Sequence, residues 1–343
     1  MYKLLLKPIL FSFSPEKAHS IIIGLLKILR YIPFSGAIFR FFYSYNDKKL
    51  EREFFGLKFS NPVGLAAGLD KNSEVYNEMA NMGFSFIEIG SLTPQSQPGN
   101  PKPRCFRLIK DRAIINRMGI NNRGVEYAIK QLSSRKKRVI IGANITKQSV
   151  TPNEFAPDDY EASFAQLYNY ADYFTLNVSC PNVKDLTGLQ EIDSLSKIIN
   201  RLITYRVSQQ TYRPILLKLS PDLTFEQLDK IIELIVLSQI DGIIATNTTR
   251  GRDKLTTSAE KVTSIGEGGL SGAPLFDKSV EIVSYIRART SIPIVAVGGI
   301  MGPVEAKKML DAGASLIQIY TGFIYNGPGV VKKILKHIIK EAR

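Results

Sequence analysis

The chain has 343 residues, 44% hydrophobic and 22% charged, a composition that suits one large α/β domain or two ordinary ones. Its two cysteines exclude a disulfide framework, and its two histidines, His19 and His337, are too few and too far apart for a usual zinc site, so no metal is expected and a reducing compartment is the natural home. The formal charge of +14 suits an anionic surface or an anionic small substrate, but the basic residues are scattered and lack a recognition helix, which argues against nucleic acid.

Residues 1–45 differ from the rest, being dense in Leu, Ile and Phe with Lys3, Lys7, Lys17, Lys27, Arg30 and Arg40 between them. Pro8, Pro15 and Pro33 are expected to break this stretch into short helices, with Ser14 as an N-cap and Pro15 at the first helical position. From Ile21 to Tyr31 each turn offers an apolar face with a cation beside it. Such a helix either lies in a membrane interface or packs on its own domain. No apolar run reaches the roughly 18 residues of a membrane span, and no secretory cleavage pattern follows.

From residue 54 onward short apolar runs alternate with helical patterns. The runs are Pro62 to Ala67, Phe86 to Leu92, Val139 to Ile145, Tyr173 to Val178, Ile215 to Leu219, Gly242 to Ala245, Ile294 to Val297 and Leu316 to Ile319. Eight strands alternating with helices predict a (β/α)8 TIM barrel. A doubly wound sheet would usually carry a GxGxxG fingerprint after a strand, and none is present.

Catalytic groups of such barrels sit at the C-terminal strand ends. Here those ends read AAGLDKN, GSLTPQ, ANITK, NVSCPN, LKLSPD, ATNTT, GGI and YTG. Gly298, Gly299, Tyr320, Thr321 and Gly322 follow the last two strands, where this fold often binds phosphate through backbone N–H groups. Asn144, Asn177, Asn182 and Asn247 end strands, and Asn116 lies in NRMGINN; their amides match the alternating donors and acceptors of a pyrimidine or flavin edge, or serve turns. Lys218 falls at an inward position of ILLKLSP, where a buried cation needs an anionic partner such as a reduced flavin. Lys71 either meets a substrate carboxylate or is a solvated loop lysine.

Eight ordered motifs, NPVGLAAGLDKN, FIEIGSLTPQ, PGNPKPRCFRL, INRMGINN, NVSCPN, IATNTT, GGLSG and GASLIQIYTGF, resemble those of the dihydroorotate dehydrogenases over nearly the whole chain. SPEKAHS within the hydrophobic extension looks like the class 2, membrane-associated, quinone-reducing branch. The resemblance implies a membrane-docking extension over residues 1–45 and an FMN-binding catalytic barrel over residues 46–343. It implies an FMN site of Ala67, Gly68, Ser91, Asn144, Asn177, Lys218, Thr246, Gly272, Gly299, Tyr320 and Thr321. Dihydroorotate would contact Lys71, Asn116, Arg117, Met118, Gly119, Asn177, Asn182, Asn247 and Thr248, and His19, Arg107 and Tyr320 would face a quinone tunnel.

Cys180 is implied as the base that removes a proton from C5 of dihydroorotate. Class 2 enzymes usually carry serine there, and the cysteine is a class 1 feature, so a soluble enzyme using fumarate or NAD is the alternative. A thiol with an ordinary pKa near ~8.5 needs only a modest electropositive pull to ionise at neutral pH. The expected partners are dihydroorotate, orotate, a quinone and a membrane surface, with the chain acting as a monomer. Met1 leading straight into the helical extension, without a transit-like segment, is expected to mean the cytoplasmic side of a bacterial inner membrane.

Overall fold

The computed structural model describes residues 2–135, 139–179 and 186–341. Eight strands, β1 (Val63–Leu65), β2 (Phe86–Leu92), β3 (Ile140–Ile145), β4 (Tyr173–Asn177), β5 (Ile215–Leu219), β6 (Gly242–Ala245), β7 (Ile294–Val297) and β8 (Leu316–Ile319), close into one barrel in chain order. All neighbours are parallel, and β8 returns to β1 through the pairs Ile317 with Val63 and Ile319 with Leu65. The barrel is the one expected from the alternating pattern, with β1, β3 and β4 each shorter than the apolar run that marks it.

Strand side chains alternate between two cores. Leu65, Ile87, Ile141, Phe174, Leu217, Ile243, Ile294 and Ile317 face the helices and join the large outer core. Phe86, Tyr173, Leu216, Ile244, Val295 and Leu316 fill the inside, plugged from below by Phe59 of the antiparallel pair Arg52–Phe54 and Leu57–Phe59. The ring centroids of Phe59 and Phe86 lie 5.3 Å apart, edge to face. Gly142 makes room inside, because a Cβ there would stand 2.0 Å from Tyr173 Cζ.

The outer helices follow ordinary rules. Thr224 caps the helix Phe225–Leu237 in a reciprocal capping box with Gln227, and Leu228, Ile231, Ile232 and Ile235 form its buried stripe. Ser14 likewise caps Pro15–Leu29, as expected, accepting from the Lys17 N–H at 3.4 Å. Pro8 does not break the chain: it occupies the first turn of Lys7–Ser12, where its missing N–H costs nothing, directly after the wide turns of Tyr2–Leu6.

Over the mouth, Cys105–Leu108, Ala113–Asn116 and Gly269–Gly272 form a three-stranded antiparallel roof, so Asn116 ends a strand and the rest of NRMGINN follows it as a loop. The Pro15–Leu29 helix packs on its own domain through part of its apolar surface. Ala18 and Leu26 are buried against the barrel, while Leu25 and Ile28 are 51% and 61% exposed.

Candidate active site at the barrel mouth

The polar strand ends and the N-terminal helices enclose one cavity of about 1180 Å³. At its floor it meets Ala67, Gly68, Lys71, Ser91, Asn177, Lys218, Thr246, Asn247, Thr248 and Tyr320. Asn116, Met118 and Gly119 close one side, and Phe11, His19, Leu26 and Arg107 line its far end. A single drug-sized ligand takes about 300–1,000 Å³, so the space exceeds one such molecule.

A chain of hydrogen bonds runs through the floor. Asn247 Nδ2 donates to Asn177 Oδ1 at 3.2 Å and to Ser179 Oγ at 2.9 Å. Asn177 Nδ2 donates to Ser91 Oγ at 2.8 Å, and the Ser91 hydroxyl donates to Asn144 Oδ1. Asn144, fully buried one layer deeper, donates to Glu88 Oε1 at 2.8 Å. Each amide is thereby oriented by the next, so the floor presents a fixed pattern of donors and acceptors.

Lys218 has a partner that the sequence reading did not name. Its Nζ stands 3.6 Å from Glu88 Oε1, and Glu88 is wholly buried. Glu88 sits in the apolar-looking run FIEIG, but Phe86, Glu88 and Gly90 share the inward face, and that alternation was the available signal. Ser179, which donates to the Lys218 carbonyl at 3.0 Å, was also missed.

The far end is set by cations and carbonyls. Arg107 donates to Phe13 O at 2.8 Å and to Leu10 O at 3.4 Å, and its guanidinium lies 4.4 Å from the Phe11 ring centroid. His19 Nε2 is 2.7 Å from the Leu69 carbonyl. Burial, and secondarily Lys71, pushes His19 down to about 4, so the ring is neutral at pH 7 and Nε2 carries the donated proton. Lys71 donates to Gly68 O at 2.7 Å, and burial lowers its pKa. The free, half-buried Cys105 is pushed up to about 11 by burial and stays a thiol.

Other expected site residues are placed differently. Arg117 turns out of the cavity and donates to Ile265 O at 2.6 Å and Glu267 O at 3.0 Å, because successive residues of an extended segment point opposite ways and Asn116 and Met118 take the inner face. Gly272 and Thr321 stand behind the wall, with Thr321 Oγ1 2.9 Å from Ser271 Oγ, whose residue lines the cavity. Gly299, at φ +71°, has its side-chain space filled by Phe276, whose Cα would be 2.4 Å from a Cβ there. Its glycine admits the helix Phe276–Arg287 as well as any ligand. Cys180 and Asn182 lie outside the described residues.

The donor set fits FMN: a run of oriented amides and hydroxyls for a flat ring edge, Lys218 for negative charge, and small residues after β7 and β8 for a phosphate. A parallel (β/α)8 barrel with such a mouth belongs to the class of cofactor-dependent barrel enzymes acting on small polar substrates. The family model described as dihydroorotate dehydrogenase matches residues 49–341. The chain is 46% identical over 343 residues to a dihydroorotate dehydrogenase (quinone) of Christiangramia forsetii, covering 99% of each chain. It is 43% identical to that of Idiomarina loihiensis, covering 98% of this chain and 100% of the other. DHODH from Eimeria tenella, crystallised in complex with ferulenol, superposes with a TM-score of 0.86 at 36% identity, over 95% of this chain and 91% of that one. The chain belongs to the dihydroorotate dehydrogenase family.

Proposed function

We propose that the chain oxidises (S)-dihydroorotate to orotate with FMN and passes the electrons to a quinone, a step of pyrimidine biosynthesis. What supports this most is the single cavity that joins the amide-lined barrel mouth to the apolar N-terminal helices, room for a polar substrate at one end and an apolar acceptor at the other. The relatives that cover the full length carry the quinone name, which disfavours the fumarate- or NAD-using alternative despite the cysteine at position 180.

FMN supplies the acceptor for hydride from C6 of the substrate and the relay of electrons onward. Ala67, Gly68, Ser91, Asn144, Asn177, Lys218, Thr246, Gly272, Gly299, Tyr320 and Thr321 would hold it, Asn144 from the layer below and Gly272 and Thr321 from behind the wall. Lys71, Asn116, Met118, Gly119, Asn177, Asn182, Asn247 and Thr248 hold dihydroorotate. Arg117 contributes through the helix end and turn at Ile265 to Glu267 that it ties down rather than by contact. Cys180 takes the C5 proton, a general-base role that contributes about 10²–10⁴-fold, while the asparagine ring holds the substrate against the flavin and lowers the barrier by several kcal/mol.

Residues 1–45 form the access segment and residues 46–343 the catalytic barrel. His19, Arg107 and Tyr320 face the quinone path. Twelve exposed large apolar side chains fall between Leu4 and Phe42, among them Tyr31 and Phe34 at 82% and Phe41 at 78%. Among the described residues no helix is long and apolar enough to cross a membrane. The apolar surface with its basic flanks therefore suits peripheral attachment to the cytoplasmic side of a bacterial inner membrane. The chain is taken to act as a monomer.

The test is anaerobic mixing of purified, FMN-bearing protein with dihydroorotate. Wild type is expected to bleach its flavin band, Cys180→Ala to leave it unbleached, and Cys180→Ser to retain a fraction of the rate with a higher pH optimum. A fully active Cys180→Ala protein would remove the base assignment.

A further inference from the structure

Glu88 occupies the middle of β2 on its inward face, fully buried, directly above the aromatic layer of Phe86. A carboxylate there is expensive unless its charge and lone pairs are all answered, and an aliphatic residue would pack the layer without that cost. The structure answers them completely. Oε1 accepts from Asn144 Nδ2 at 2.8 Å, Oε2 accepts from Gln318 Nε2 at 2.7 Å and from Tyr173 OH at 3.5 Å, and Lys218 supplies the countercharge at 3.6 Å.

Two consequences reach the cavity. The Lys218 to Glu88 distance is longer than a hydrogen bond, so the ammonium is balanced from below while it lines the cavity above. An ionised carboxylate only accepts, so Asn144 must turn its NH2 toward Glu88 and its Oδ1 upward, where the Ser91 hydroxyl donates to it. Ser91 is then free to accept from Asn177, and the sense of every later bond in the floor follows.

We propose that Glu88 is a positioning residue for the flavin: it sets the net charge that Lys218 presents and the donor–acceptor sense of the Asn144–Ser91–Asn177 chain. The proposal rests on the FMN reading above. Glu88 has no contact with the cavity and acts through Lys218 and Asn144. Because reduced FMN is the more negative form, the carboxylate offsets part of the stabilisation that Lys218 gives it and holds the flavin at a lower potential.

The experiment is redox titration of the bound flavin in wild type, Glu88→Gln, Lys218→Met and the double variant. Glu88→Gln keeps the shape and removes the charge. It is expected to raise the affinity for reduced over oxidised FMN about tenfold or more, which for a two-electron couple is about 30 mV. In the Lys218→Met background the same substitution is expected to shift the ratio less than about threefold, because a buried carboxylate that has lost its countercharge takes up a proton and leaves little charge for the substitution to remove.

Glu88→Asp withdraws the charge by one methylene and is expected to move the potential in the same direction by less; it carries the test if Glu88→Gln does not accumulate folded. A flavin-loaded variant with an unchanged or lowered potential overturns the proposal, as does an equal shift with and without Lys218. Wild-type protein that neither purifies with FMN nor binds it when supplied removes the FMN reading itself.

Discussion

Arg107 is one of two polar ties between the barrel roof and the first helices, the other being the Arg104–Glu16 ion pair, and replacing it with leucine isolates what the Arg107 tie does. The side chain is half-buried, donates to Phe13 O at 2.8 Å and lies 4.4 Å from the Phe11 ring centroid. A hydrogen bond from a charged donor contributes about 1.5–3 kcal/mol, and a cation over an exposed aromatic about 0.5–1 kcal/mol. Arg107→Leu should therefore free the segment around Leu10 to Phe13 by about 2–4 kcal/mol, roughly a 30- to 1000-fold gain in its open population. Limited proteolysis reads that opening as faster cleavage within residues 1–14. Quinone kcat/KM should fall by more than about tenfold, while anaerobic flavin reduction by dihydroorotate stays within about twofold. Cleavage and quinone kinetics both matching wild type would refute the tie.

Two buried groups give opposing pH dependences. His19 is lowered from 6.5 to about 4, so below pH 6.5 the unfolded chain binds more protons and stability is lost as pH falls toward 4, by about 3 kcal/mol in all. Asp70, whose carboxylate accepts from the Glu74 and Val75 N–H groups, is raised from 3.8 to about 6 by burial, so stability is lost as pH rises through that window, by a similar amount. His19→Gln leaves only the second effect, and urea unfolding at pH 4.5 and 6.5 should show the variant gaining at least 1 kcal/mol on wild type at the lower pH; parallel curves would contradict the His19 environment. Gly142→Ala places a methyl against Tyr173 and should lower the urea midpoint by an amount equivalent to about 1–3 kcal/mol, with no change in midpoint as the contrary result.

The barrel was legible because each strand is a short apolar run ended by polar residues, and five of the eight observed strands coincide with their runs. The mouth was legible for the same reason: Asn144, Asn177, Lys218 and Asn247 stand at or near the C-terminal strand ends, which this fold brings together at one mouth. Glu88 was hidden inside an apolar run, and its role depends on partners from β3, β4, β5 and β8 that only the closed barrel brings together. The antiparallel roof was hidden because its hairpin turn, at Ile109 to Arg112, carries no glycine, proline or asparagine. Arg117 was misplaced because motif matching names residues without their alternation.

In the proposed function one cavity serves a polar substrate from the barrel and an apolar acceptor from the side of the N-terminal helices. The direct measurement is the rate at which dihydroorotate-reduced protein is reoxidised by a ubiquinone analogue, by fumarate and by NAD under anaerobic conditions. Fast reoxidation by the quinone and background rates with the other two are expected. Reoxidation by fumarate or NAD at a rate matching the quinone's would contradict that function.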